Sequence, residues 1–500
     1  MFIHAVETPR KITVAFKGGK SKGGNHISLL TGPNGSGKTD ILATIADVFH
    51  GAYQHEAGAK VHWGAGGEIH ISESLRPDPT RQRIRLVAQT FSPFSRFPGV
   101  ELRPPSAITE VYARGHAPEE EYVCIGFNQH STVALRKLAL SIVENGILRL
   151  SEQPKAARVV INVLRELNFK EGIDLVYSAD RRLSSLLGIA NDKDGIERAF
   201  EQVLTRGQFV AGGAYIGREA SGVLRDELRR VGVDEVAEYV RSSIDLIAPY
   251  MDHFYVDKRY RLERFVFRAF RGREAMSSDY PILQAFALLR RLGLLTLLGC
   301  TLTSYEGAAV DLTRTSSGQQ QMLCSIFGLA SALEDDAIVL IDEPELSLHP
   351  RWQMGFFKHL EVALEGVADC HVIIATHSPL IAQAGSAHGA EIVQMGSPGI
   401  NEQVPLQGRR ADASVEELLV DVFDTPIPNS VHISNEIFAL VTRAETGTDQ
   451  DRRQALGQLV DYLDLYRREG EGAVEMVEML SKAIKLVSHP RSMLADGDAG

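Results

Sequence analysis

The chain has 500 residues, 44% hydrophobic and 23% charged, an ordinary balance for a globular protein of two to four domains or of one domain with a large insertion. A formal net charge of −11 excludes a surface that is basic overall, and leaves room only for a local basic groove. No run of about 18 apolar residues is present, so no membrane-spanning helix is expected. Met1 to Glu7 lack the basic and apolar regions of a secretory leader, which predicts a cytoplasmic chain. Cys124, Cys300, Cys324 and Cys370 are far apart and mostly flanked by apolar residues. They read as buried thiols in a reducing compartment.

In chain order, Lys11 to Phe16 alternates as a strand does, and Gly18 to Gly24 is a turn. The apolar run Ile27 to Leu30 leads into Gly32-Pro33-Asn34-Gly35-Ser36-Gly37-Lys38-Thr39, and Asp40 to Tyr53 reads as a helix. Strands are expected at Glu68 to Ser72, Arg83 to Ala88 and Glu121 to Phe127, with an irregular proline-rich stretch from Ser92 to Pro105. From about residue 128 helical spacing takes over: Ser131 to Leu148, Ala156 to Leu167, Gly195 to Leu204, Glu219 to Val231, Val233 to Ile247 and Pro281 to Leu298. Strands return at Asp336 to Ile341 and His371 to Ala375. The tail from Ser414 is helical, mainly over Asp449 to Arg468 and Gly472 to Val487.

Strand, glycine loop, helix with Gly32-x4-Gly37-Lys38-Thr39 fits the phosphate-binding loop. The glycines let backbone N–H groups turn toward phosphate oxygens, and the helix N-terminus adds its positive end. Lys38 can reach the β- and γ-phosphates, and the Thr39 hydroxyl can ligate Mg²⁺. Ala337 to Ile341 is an apolar run ending in Asp342 and Glu343. It suits the buried centre of a parallel sheet, at whose carboxyl end ligands bind. Asp342 can hold Mg²⁺, and Glu343 can act as general base on an attacking water. Thr315 to Gln321 opens an apolar helix with a Ser-Gly cap, 25 positions before Asp342 counting from Ser317.

This set of motifs resembles the ABC-type ATPase superfamily, over about residues 1–95 and 305–400. Ser317, Gly318 and Gln319 stand where its signature lies, which caps the γ-phosphate of a nucleotide held by a second subunit. Ser316 and Gln319 depart from Leu-Ser-Gly-Gly-Gln, as in the non-transporter RecF, SMC and OLD-like branch. Gln89 resembles the glutamine that touches Mg²⁺ and water, and His377 the switch histidine that contacts the γ-phosphate. Leu348-His349-Pro350 resembles OLD-family and related bacterial ATPases. Gln89 and Ser316 lie 227 positions apart, too far for a transporter subunit. A globular insertion of that size is similar to those of anti-phage defence ATPases such as the Septu ATPase PtuA.

The resemblance implies an α/β P-loop ABC-type ATPase head, residues 1–127 and 305–400, interrupted by a mainly helical insertion, 128–304, and followed by a helical tail, 401–500. It implies ATP and Mg²⁺ as cofactors and a homodimer, or higher even oligomer, around composite sites. No Toprim-like acidic set follows His377. Asp496 and Asp498 sit at the extreme terminus, and His50, His55 and His62 are irregularly spaced. A separate nuclease or effector protein is therefore the expected partner, with no membrane. DNA or RNA could be gripped between Lys258 and Arg273, where Arg259, Arg261, Arg264, Arg268 and Arg271 interleave with aromatics including Tyr260, Phe265, Phe267 and Phe270. The rival reading there is an amphipathic element with its aromatics in the core. Arg81, Arg83 and Arg85 form a weaker candidate. A RecF-like repair ATPase that binds DNA directly and a scaffold that holds ATP with little turnover are the alternatives.

Overall fold

Three apolar runs, His26–Thr31, Ile338–Asp342 and His371–Ala375, fix the centre of the fold in the computed structural model. The structure describes residues 1–17, 24–50, 58–65, 68–73, 84–98, 122–126, most of 139–147, 157–190, 192, 194–211, 214–218, 222–256, 260–269, 275–396, 414–423, 425–428, 430–467 and 474–488. Most of the turn expected at Gly18 to Gly24, Arg81, Arg83 and the chain end from 489 lie outside them.

The chain opens with β1 (Phe2–Glu7), β2 (Thr13–Ala15) and β3 (His26–Thr31), followed by the glycine loop and α1 (Lys38–His50). Strands β4 (Lys60–Ala65), β5 (Glu68–Glu73), β6 (Leu86–Thr90) and β7 (Tyr122–Gly126) come next. The middle of the chain runs α2 (Ala157–Glu166), β8 (Phe169–Ala179), α3 (Arg181–Ile189), α4 (Gly195–Arg206), β9 (Gln208–Ala211), β10 (Ala214–Arg218), α5 (Gly222–Val231) and α6 (Val233–Ile247). It continues with β11 (Met251–Val256), β12 (Tyr260–Ala269), α7 (Ala275–Arg291), β13 (Leu295–Ser304) and β14 (Ala309–Asp311). Then come α8 (Ser317–Ala332), β15 (Ile338–Asp342), α9 (Pro350–Ala363), β16 (His371–Ala375), α10 (Pro379–Ala387) and β17 (Glu391–Gln394). The tail holds α11 (Val415–Asp421), α12 (Val431–Thr446), α13 (Asp449–Arg467) and α14 (Val474–Ser488).

The central sheet has six parallel strands in the order β17-β3-β16-β15-β6-β7. All five residues of β15 are buried, as are all five of β6 and of β16, because helices cover both faces. On one face, Ile41, Leu42 and Ile45 of α1 pack with Leu30, Ala88, Leu340 and Ile373. On the other, Met322, Leu323 and Phe327 of α8 and Phe356 and Phe357 of α9 pack with Leu29, Val87, Val339, Ile341 and Ile374. A four-stranded antiparallel sheet, β2-β1-β4-β5, lies over α1, with Phe49 meeting Trp63 edge-on at 6.0 Å.

The middle region contains the expected helices near Ala156, Gly195, Glu219 and Val233, but they are built on strands that the periodicity does not announce. Five of them form an antiparallel sheet, β11-β12-β8-β13-β14, whose core face stacks Tyr177 on Phe286 of α7 at 4.5 Å. The helix expected from Pro281 to Leu298 stops at Arg291. Gly293 takes φ +74°, a left-handed turn open chiefly to glycine, and the chain continues as β13. The core of this region is continuous with the α8 side of the head. Helices α12 to α14 enclose a separate core around Ile437, Leu459 and Leu480. No helix among the described residues is long and apolar enough to cross a membrane. All four cysteines are free, and Cys300, Cys324 and Cys370 are buried.

Candidate functional site

The glycine loop joins β3 to α1 at the carboxyl end of the sheet, as its motif predicts. Gly32 takes φ +140° with Met395 backbone oxygen only 2.4 Å from where a Cβ would sit, so only glycine fits. Lys38 opens α1 and its Nζ donates to the carbonyls of Gly32 (2.8 Å) and Pro33 (3.0 Å), with Ser36 Oγ at 3.4 Å. The ammonium thus lies curled inside its own loop. Burial pulls it down to about 8, partly opposed by Glu343, Glu345 and Asp342.

Thr39 Oγ1 donates to Asp342 Oδ1 at 3.1 Å, which brings together two residues 303 positions apart. A hydroxyl and a buried carboxylate at the carboxyl end of a parallel sheet form an oxygen donor set suited to Mg²⁺. Burial, with Glu343 adding repulsion, pushes Asp342 up to about 7, against the pull of the Thr39 hydroxyl. A carboxylate so strained by desolvation gains from a divalent cation. Asp40, the next residue of α1, is gripped by Arg10 (3.0 Å) and Arg96, which sets two guanidinium groups at the rim of the loop.

Glu343 follows with φ +49°, left-handed and costly for a side chain with a Cβ. Its N–H donates to Ala375 oxygen at 2.9 Å, locking the end of β15 to β16. This turn carries the Glu343 carboxylate to 3.9 Å from His377 Nε2. Burial and the Lys38 charge hold His377 down to about 4, so the imidazole is neutral at pH 7. Lys38, Thr39, Asp342, Glu343 and His377 therefore share one end of the sheet.

Gln89 is not brought to this group. Adjacent residues of a strand point to opposite faces. Register pairs Asp342 with Thr90 and Ile341 with Gln89, so Thr90 shares the α1 side with Asp342. Gln89 faces α8 instead, where its Nε2 donates to Ser325 Oγ at 2.5 Å. Its Oε1 is buried without a partner, against a small cavity of about 10 Å³ also lined by Thr90, Gln321, Ser325, Asp342 and Pro344.

Ser317, Gly318 and Gln319 form the first turn of α8. Ser316 caps it: its Oγ accepts from Gln319 N (3.2 Å), while Gln319 Oε1 accepts from Ser316 N (3.3 Å). The Gln319 side chain is therefore spent on the cap, and Ser317 is left exposed. A Cβ on Gly318 would lie 2.6 Å from Ser347 oxygen and 2.8 Å from the Trp352 ring. Gln321 Nε2 donates to Pro344 oxygen at 3.0 Å, so α8 is tied to the acidic turn. The fold is thus a mixed α/β one, with a parallel central sheet whose glycine loop and acidic turn meet at one end.

The family model described as "AAA domain, putative AbiEii toxin, Type IV TA system" matches residues 260–382. The chain is 39% identical over 82 residues to "Protein ea59" of Escherichia phage lambda, covering 16% of this chain and 15% of that protein. It is 26% identical over 159 residues to "Retron Vc95 probable ATPase" of Vibrio cholerae serotype O1 biovar El Tor, covering 28% of each. The chain thus spans less than a third of the curated relatives it matches. Among solved structures, an Smc head bound to the C-winged helix domain of ScpA aligns at TM-score 0.28 and 8% identity, over 81% of this chain and 98% of that one. An Smc head with an extended coiled coil, bound to the C-terminal domain of ScpA derived from Pyrococcus furiosus, aligns at 0.27 and 13%, over 81% and 97%.

Two residues escaped the sequence reading. Thr90 occupies the metal-side position of β6. Glu345 accepts from both Thr376 and His377; its signal was a third carboxylate within four residues of Asp342. The basic patch changes character. Phe265 and Phe267 are buried in the sheet core, so neither is free to stack on a base. Arg268 pairs with Asp174 across β12 and β8. Arg85 is buried and donates to Ala332 oxygen at 2.9 Å, a structural tie rather than a free cation. Lys258, Arg259, Phe270, Arg271 and Arg273 lie outside the described residues. No group of three or more His, Cys, Asp and Glu side chains placed to hold a metal ion is found among the described residues.

Proposed function

We propose that this chain is an ATPase that closes as a dimer around ATP and so gates a nucleic-acid-directed effector carried by another polypeptide. The single observation that carries the nucleotide reading is the Thr39–Asp342 bond, which completes a Mg²⁺ donor pair beside the Lys38 loop. Bound there, Mg²⁺ would neutralise phosphate charge. The loop N–H groups and Lys38 hold the β- and γ-phosphates. Glu343 orients and deprotonates the attacking water, and neutral His377 donates toward the γ-phosphate. Metal contact by Gln89 would require it to leave Ser325.

The position of α8 supports the composite site. Helix α8 lies on the opposite face of the sheet from α1. Ser317, exposed at the first turn of α8, thus presents its hydroxyl away from its own loop, open to a second copy. The similarity to a retron ATPase supports a defence setting, as does the resemblance to the anti-phage group. Direct nucleic-acid binding between Lys258 and Arg273, as in a RecF-like reading, loses the stacking of Phe265 and Phe267 and finds Arg268 already paired with Asp174.

Lys38→Ala tests the core of the reading. Removing the ammonium is expected to weaken ATP binding by about 2–4 kcal/mol, since the phosphate loses a partly buried charge-assisted partner. Calorimetry showing unchanged affinity would refute the phosphate loop.

A further inference from the structure

We propose that Glu345 is a positioning residue: its carboxylate anchors the Thr376–His377 backbone and so aims the switch imidazole at the reacting phosphate. The inference deepens the ATPase reading and rests on it.

The geometry divides labour between two acids of one turn. The left-handed φ of Glu343 sends its carboxylate to the imidazole ring. Two positions on, Glu345 reaches the backbone of the same segment instead. Its Oε1 accepts from His377 N at 2.5 Å and its Oε2 from Thr376 Oγ1 at 2.9 Å. Thr376 Oγ1 in turn accepts from Ser378 N at 2.9 Å, so one carboxylate organises three consecutive residues. Gln353 of α9 adds a second tie: it donates to Leu348 oxygen at 3.0 Å and accepts from Ser378 Oγ at 2.6 Å.

Both Glu345 oxygens are engaged by one loop, which disfavours a role as base. Burial raises the pKa of Glu345, and the hydrogen bonds from the switch segment act against that rise. A bond to a backbone N–H constrains where the residue sits, and a 1 Å misplacement of a reacting group can cost about 100-fold in rate. His377 has no other described anchor for its N–H.

Three single variants, one double variant and two readouts test this. Glu345→Ala should speed hydrogen exchange in a peptide spanning residues 371–380 by about tenfold, a result that needs no catalysis. It should lower kcat by about 10- to 100-fold with KM within about twofold, because ground-state phosphate contacts are untouched. Glu345→Gln, whose amide oxygen can still accept the His377 N–H, should recover to within about threefold of the parent. In a His377→Ala background, adding Glu345→Ala should change kcat less than about twofold, since both act through one group. Unchanged exchange in Glu345→Ala overturns the proposal. So does Glu345→Gln as inactive as Glu345→Ala, which would mean the charge itself is needed, or full additivity with His377→Ala. A parent chain without turnover, but with the exchange effect, refutes the ATPase reading and leaves the anchor standing.

Discussion

Asp342 and Lys38 hold charges that their surroundings oppose, and the pH dependence of nucleotide binding follows. The folded pKa of Asp342 is raised, so its contribution to stability is present below the unfolded value of 3.8 and lost as pH rises through about 7. Mg²⁺ requires the ionised form and relieves the cost. Lys38 has the opposite shift, and above about 8 it loses the charge that grips phosphate. Affinity for MgATP should therefore rise about tenfold per pH unit below 7 and fall again above 8. The rise in thermal midpoint caused by MgATP at pH 6, 7.5 and 9 measures it. A flat profile would remove Asp342 from the metal site. At this scale the sequence was legible wherever spacing carried chemistry: Gly32 to Thr39, Asp342, Glu343 and His377 assemble at one sheet end. Gln89 was not. A strand buried on both faces reads as an unbroken apolar run, so nothing in Leu86 to Thr90 shows which residues face α1 and which face α8.

Helix α8 shows what elements demand of single positions. Gly318 must pass under Ser347 oxygen and Trp352, so Gly318→Ala should cost about 1–3 kcal/mol through overpacking. Gly457 on α13 has nothing within 4 Å of a Cβ, and Gly457→Ala should stabilise by about 0.5–1 kcal/mol. Denaturant midpoints compare the two; equal shifts would argue against the packing assigned to Gly318. Five of the six parallel strands and the last two tail helices were readable because each is apolar or strongly periodic; β17, four residues long, was not. The antiparallel sheet of the middle region was not. Register shifts at Leu297/Gly299 and Leu302/Ser304 break the alternation of β13, and Leu292-Gly293 leaves only a short signal between helix and strand. The aromatics of β12 illustrate the same limit. An arginine-aromatic alternation describes a half-buried strand as well as a nucleic-acid surface.

For the whole molecule, loss of the base should trap closure. Glu343→Gln is expected to retain ATP binding, lose turnover by about 100-fold or more, and accumulate as a dimer in ATP but not in ADP. Light scattering after size exclusion reads the mass directly. One mass under every nucleotide condition would sink the composite site, and unchanged turnover would remove Glu343 as base. The strand order β3-β16-β15-β6 has a further consequence, in time rather than space. The two strands that flank the centre, β3 and β6, are made early, but β15 and β16, which must lie between them, are more than 240 residues later than β6. At about 5–20 residues per second, roughly 20–70 s separate synthesis of the Lys38 loop from that of β16. Throughout that interval the loop emerges without its carboxylate, and two apolar strand edges wait open. The nucleotide site is thus a late product of synthesis, and the chain is exposed to mispairing for as long as the middle region takes to be made.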